Sequence, residues 1–227
     1  MIAARFNGPE NSGNGGYVCG VVGDLIDRVA EVTLRTPPPL DTPLRIERDD
    51  DGSVQVLDGD LLVATARSIV FDSPKMPAAP SWDQAAEASH DYLGHRRHEF
   101  PTCFTCGPAR ADGLGIFPGP IAGGMVAAPW IPDASLPNHG GEVATPIIWA
   151  ALDCPGAWVD ARDMIESPVV LGRMSAAISA PLEIGRRYVA MAHKLGEDGR
   201  KSFAATALVD ESGTTVALAR QVWISLT

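Results

Sequence analysis

Apolar stretches alternate along this chain with short runs of period two. Tyr17-Val18-Cys19-Gly20-Val21-Val22-Gly23-Asp24-Leu25-Ile26 is apolar nearly all round, the pattern of a helix buried on most faces. Strands are expected after it at 31–35, 44–48, 53–57 and 61–71, with Asp51-Gly52 and Asp58-Gly59 as hairpin turns. The same order then returns. Glu142-Val143-Ala144-Thr145-Pro146-Ile147-Ile148-Trp149-Ala150-Ala151-Leu152-Asp153 is the second apolar stretch, and strands follow at 170–178, 187–195, 201–210 and 214–225. Turns fall at Asp198-Gly199 and around Glu211-Ser212-Gly213.

Landmarks recur in register with that order. Pro39-Leu40 answers Pro181-Leu182, Asp51-Gly52 answers Asp198-Gly199, and Val63-Ala64-Thr65-Ala66-Arg67 answers Val216-Ala217-Leu218-Ala219-Arg220. A Gly-Gly pair heads each apolar stretch: Asn14-Gly15-Gly16 in the first half, His139-Gly140-Gly141 in the second. An internal duplication explains this. The expected class is α+β, with two long central helices wrapped by an antiparallel sheet. Pro146 interrupts the second stretch unless the helix begins there, where a missing N–H costs nothing.

The halves are expected at 1–72 and 116–227, with 73–115 as a linker. Ser81 is a suitable N-cap for a linker helix running from Trp82 to about Leu93. Residues 100–120 are rich in Gly and Pro and are expected as ordered loop. A connection this long is expected to cover part of a pocket.

Bulk properties narrow the field. The 227 residues are 45% hydrophobic and 20% charged, with a formal net charge of −10 and no run of Lys and Arg. Nucleic acid is therefore not an expected partner. No signal peptide and no membrane-spanning run are expected, and four cysteines are too few for a disulfide scaffold. The expectation is a soluble cytoplasmic protein without cofactor or metal.

The layout resembles the hotdog fold, and His139-Gly140-Gly141 resembles the His-Gly-Gly signature of phenylacetate-type acyl-CoA thioesterases. Asn14-Gly15-Gly16 is similar, with Asn for His. Two fused halves resemble the double-hotdog thioesterases, in which one chain forms what is otherwise a dimer. The resemblance implies hydrolysis of an acyl thioester, in particular an acyl-CoA, by a monomer acting as a pseudo-dimer or by a homo-oligomer. Backbone N–H groups at a helix N-terminus polarise the thioester carbonyl, and a carboxylate from the partner half activates water or attacks.

Asp24 is the expected acid, paired with His139, Gly140 and Gly141. It stands ten residues after Asn14, one more than the spacing in the resembled family. The reciprocal pocket would join Asn14, Gly15 and Gly16 to Trp149 and be inactive. Asp153 enters as a further binding residue or as an acid shaping the turn at Cys154-Pro155-Gly156. Glu142 and His139 would carry the chemistry of the alternative enzyme, an acyl-thioester dehydratase or hydratase. A non-catalytic acyl-CoA or lipid-binding protein is the alternative outside enzymes. Cys103-Phe104-Thr105-Cys106 is expected as two buried thiols in a turn, although His90, His95 and His98 lie near enough in sequence for a metal site.

Overall fold

The structure, a computed structural model, describes residues 1–160 and 167–226. The first half builds α1 (Gly15–Gly23), then β1 (Ala30–Leu34), β2 (Arg45–Arg48), β3 (Val54–Asp58) and β4 (Leu61–Ser68). The connection carries α2 (Trp82–His90). The second half adds β5 (Gly119–Ile121), β6 (Met125–Trp130), the small hairpin β7 (Asn138–His139) and β8 (Glu142–Val143), and α3 (Thr145–Ala157). It ends with β9 (Val169–Ile178), β10 (Tyr188–Asp198), β11 (Lys201–Asp210) and β12 (Thr215–Ser225).

Ten strands form one antiparallel sheet in the order β2-β3-β4-β1-β9-β12-β11-β10-β6-β5. Outward from the β1–β9 seam, β1, β4, β3, β2 on one side meet β9, β12, β11, β10 on the other. The duplicated landmarks of the sequence thus occupy matching places in the sheet. At the seam Val32 pairs with Met174, and Arg173 donates through Nε to the Thr33 hydroxyl at 3.0 Å. β2, at one edge, is exposed along its length and carries Arg45, Glu47 and Arg48, charges that discourage another strand from adding there.

One face of the sheet holds α1 and α3 against each other. Their approach is close because α1 has glycines at the contact. A Cβ on Gly16 would stand 2.5 Å from Asp153 Cβ and 2.6 Å from the Trp149 carbonyl, and one on Gly20 would stand 2.6 Å from Pro146 Cα. The indole of Trp149 lies along Gly20 and Gly23. The opposite face is covered at one end by α2. Val189 and Met191 of β10, and Ala207 and Val209 of β11, pack with Ala85 there, while Tyr188, Ala190 and Leu208 turn to the central helices. A capping box of Ser81 and Gln84 starts α2.

The central helices are shorter than expected, nine and thirteen residues. α1 ends at Gly23 because Leu25 and Ile26 switch to tighter bonds with the carbonyls of Val22 and Gly23. α3 begins only at Thr145, with Pro146 in its first turn, and runs on through Pro155 to Ala157. The chain therefore does not break at Cys154-Pro155-Gly156. Gln221 Nε2 donates to the carbonyls of Leu152 (2.7 Å) and Asp153 (3.0 Å) at this end of the helix. Gly156 leaves the room that Gln221 occupies.

Candidate functional site

Where α1 starts, the sequence supplies a cap. Asn14 accepts the Tyr17 N–H at Oδ1 (2.9 Å), and its own carbonyl takes the Val18 N–H (3.0 Å). Its Nδ2 donates across the helix pair to Asp153 Oδ2 at 3.0 Å, and Gly16 N–H donates to the same oxygen at 2.9 Å. Asp153 is 2% exposed, and its Oδ1 has no partner among the described residues. Burial pushes its carboxyl up to about 7, against the pull of the Gly16 and Asn14 donors. Among the first-turn N–H groups of α1, those of Gly16, Tyr17 and Val18 are taken; Gly15 N–H has no protein acceptor among the described residues. This junction is polar, desolvated and half-satisfied.

It forms part of the wall of a cavity of about 460 Å³. Asn14, Gly15 and Asp153 contribute the polar groups of α1 and α3 to that wall. Leu171 and Trp223 come from the sheet and Trp158 from the turn after α3. The long connection closes another side with His98, Phe100, Cys103 and Cys106. A pocket largely apolar with a few convergent polar groups is the form a ligand site takes.

The connection is held there by ordinary bonds. Phe104 N–H donates to the Asn7 carbonyl (2.8 Å) and Thr105 Oγ1 to the Ala150 carbonyl of α3 (2.9 Å). Gly107 folds the chain so tightly that a Cβ would lie 2.5 Å from Cys103 N. The result sets Cys103 and Cys106 beside Cys154 of α3, all buried, with the Cys103 and Cys154 sulfurs 3.7 Å apart. Sequence spacing brought out the Cys103–Cys106 pair; the contribution of Cys154, 48 residues beyond Cys106, needed the fold.

The other candidate residues stand elsewhere. Asn138 to Val143 is a hairpin in which Gly140 (φ +62°) and Gly141 (φ +95°) make the turn. Gly141 N–H donates to Asn138 Oδ1, and His139 and Glu142 are exposed across from each other. The expected helix start at His139-Gly140-Gly141 is thus corrected: left-handed glycines close a turn, and the N–H groups of a helix begin at Thr145. Asp24 caps the C-terminal end of α1 and is exposed. Trp149 is buried between the helices. None of these lines the cavity. The acid opposite Asn14, Gly15 and Gly16 is Asp153, where Trp149 was expected.

The matching junction at the other end of the helix pair lacks these groups. Ala144 is its N-cap and makes no side-chain cap bond, Pro146 has no N–H, and Gly20 and Gly23 face it from α1.

No family model matches the sequence, and no curated protein matches it. Solved structures are similar over the whole chain. A conserved protein of unknown function with a hot dog fold from Alicyclobacillus acidocaldarius is 12% identical, with a TM-score of 0.67, over 100% of this chain and 91% of its own. A putative thioesterase from Novosphingobium aromaticivorans is 12% identical, with a TM-score of 0.61, over 98% of this chain and 92% of its own. The tesB protein of Mycobacterium avium subspecies paratuberculosis is 14% identical, with a TM-score of 0.60, over 96% and 89%. At such identities the likeness is one of fold, and it agrees with the strand order and the paired helices: the chain has a hotdog fold.

Proposed function

We propose that this chain is a double hotdog with a single working site, and that it hydrolyses an acyl thioester, in particular an acyl-CoA. The observation that carries the reading is Asp153: a buried carboxylate from one half, held by the helix N-terminus of the other, with one oxygen unclaimed in a cavity wall. The thioester carbonyl oxygen would sit against Gly15 N–H at the positive end of α1, which stabilises the charge that develops there. Asp153 Oδ1 would take a proton from water as it attacks, or attack the carbonyl itself. Gly16 N–H and the Asn14 amide hold the carboxylate in place for either step.

Two further facts support this reading. Counted from the N-cap Ala144, Asp153 stands nine residues along α3, the spacing of the resembled thioesterases. Two of the fold neighbours are described as a tesB protein and a putative thioesterase. The asymmetry predicts one site per chain, because the residue nine positions after Asn14 is Gly23 and not an acid, and Pro146 lacks the N–H that Gly16 gives to Asp153. A dehydratase built on His139 and Glu142 gains nothing from the geometry, since both are exposed on a hairpin outside the cavity.

The test is release of free CoA thiol across a panel of aliphatic and aromatic acyl-CoAs, for the wild type and for Asp153→Asn. Turnover in the wild type that the variant loses supports the proposal. Equal turnover in both rules out Asp153. Tight acyl-CoA binding without thiol release in the wild type identifies a binding protein instead.

A further inference from the structure

Cys103, Cys106 and Cys154 take no part in the hydrolysis proposed above. Their sulfurs all lie within 4.8 Å of one another, and among the described residues they are the one group of three potential metal ligands so placed. A tetrahedral zinc thiolate site has Zn–S near 2.3 Å, which puts its sulfurs about 3.8 Å apart. The Cys103–Cys154 separation of 3.7 Å already matches. The two-residue spacing of Cys103 and Cys106 is the usual way for one turn to give two zinc ligands. Here the turn is fixed by Gly107, whose N–H donates to the Cys103 carbonyl at 2.9 Å.

Around the three sulfurs the protein offers donors, as thiolates need. Asn14 Nδ2 reaches Cys103 Sγ at 3.7 Å with the hydrogen not given to Asp153. His98 Nε2 lies 3.3 Å from Cys106 Sγ. Phe100 N–H donates to His98 Nδ1 at 3.0 Å, so the imidazole carries its proton on Nε2 and gives it to the sulfur. His98 is therefore an outer partner that offsets thiolate charge, not a fourth ligand.

We infer that Cys103, Cys106 and Cys154 bind one thiophilic divalent ion, zinc by preference, with the fourth coordination position left to a molecule in the cavity. All three cysteines line that cavity, so the position is open to water or to a ligand. Soft sulfur donors in tetrahedral array select zinc over magnesium or calcium. Binding exchanges the thiol protons for the ion and ties together α3, the connection and the cap of α1. The inference stands apart from the hydrolysis reading, since the ion needs no role in turnover.

Metal analysis tests it on the intact chain. The protein purified without chelator, from medium containing zinc, is expected to hold about one zinc per chain. The reduced, metal-stripped chain titrated with Co²⁺ is expected to develop thiolate-to-cobalt charge-transfer absorption and the strong visible bands of tetrahedral cobalt, saturating at one equivalent. C154A is expected to lose both signals and C19A, which alters the buried cysteine of α1 outside the cluster, to keep them. A folded, reduced wild type that retains no zinc and gives no charge-transfer absorption overturns the inference, whatever the variants do. So does a C103S/C106S variant that still binds zinc as tightly as the wild type.

Discussion

Two Gly-Gly pairs in this chain look alike in sequence and do opposite things. Gly15-Gly16 lies in the right-handed helical region and begins α1; Gly140-Gly141 lies at positive φ and closes a hairpin. Each is preceded by an asparagine that accepts a glycine-turn or helix N–H. Asn14 caps through Tyr17 N–H, and Asn138, two residues before Gly140, binds Gly141 N–H. The difference lies in the residues C-terminal to each pair. An unbroken apolar run after Gly16 lets the helix propagate at once, whereas Pro146 places the next helix start at Thr145, four residues beyond Gly141. Glycine permits both outcomes, and the cap and the proline choose between them.

The most forceful way to sharpen this contrast is Asp153→Asn. It keeps the volume of the side chain and an oxygen for Gly16 N–H, and removes the carboxylate. Turnover is expected to fall at least about 100-fold, roughly 2.7 kcal/mol in the barrier, with the fold retained by circular dichroism. The same reaction measured in Asp24→Asn is expected to match the wild type, because Asp24 lies outside the cavity.

Next is Gly16→Ala. The added methyl would overlap Asp153 Cβ and the Trp149 carbonyl, so the helices must part. A cost of about 1–3 kcal/mol is expected, read as a fall in thermal midpoint of roughly 2–4 °C for each kcal/mol. The equivalent change at Gly141 meets no neighbour within 4 Å, and only its φ of +95° opposes it. There the expected cost is about 1 kcal/mol, with turnover unchanged. Equal losses of turnover at the two glycines would break the distinction between a helix junction and a surface turn.

Asn14→Ala falls between these. It removes the cap of α1 and one of the two donors that hold Asp153, at about 1 kcal/mol of stability. Its specific signature is a loss of turnover greater than the change in stability explains, because the carboxylate remains but is less fixed. Gln at the same position, with one more methylene, is not expected to restore both bonds.

Much of the fold was legible because strands report themselves through period two and turn residues. The expected 201–210 strand matches β11, and the landmarks around Val63 and Val216 fall on β4 and β12, which occupy matching positions about the seam. β5 and β6 were not expected: β5 begins at the end of the Gly- and Pro-rich stretch 100–120, and β6 follows it where no strand was read. Pro120 and Pro129 are tolerated there because these strands lie at or next to the sheet edge. The site was half legible. Asn14, Gly15, Gly16 and Asp153 were each visible as residues, but their pairing depended on where α3 starts. Aligning the halves on Gly-Gly displaced α3 by five residues, more than a full turn, and put Ile148 and Trp149 where the acid was sought, in place of Asp153. Aligning Ala144 with Asn14, on the strength of Pro146 as a helix opener, would have found the acid.

The smallest expected effect is at the hairpin itself, and it isolates the role of the His-Gly-Gly triplet. His139 and Glu142 face each other across β7 and β8 and are exposed, and neither forms a hydrogen bond or ion pair through its side chain among the described residues. H139A and E142Q are therefore expected to change stability by no more than about 0.5 kcal/mol, the range of ordinary surface substitutions. Turnover should stay within twofold or so of the wild type, since no step of the proposed reaction passes through either group. A fall of 100-fold or so in either variant would transfer the chemistry from the α1 junction to the hairpin. Because both side chains lie outside the cavity wall, such a result would also require the hairpin to fold inward when substrate binds. A shift in protease sensitivity around Gly140-Gly141 on adding acyl-CoA would detect that movement, and none is expected.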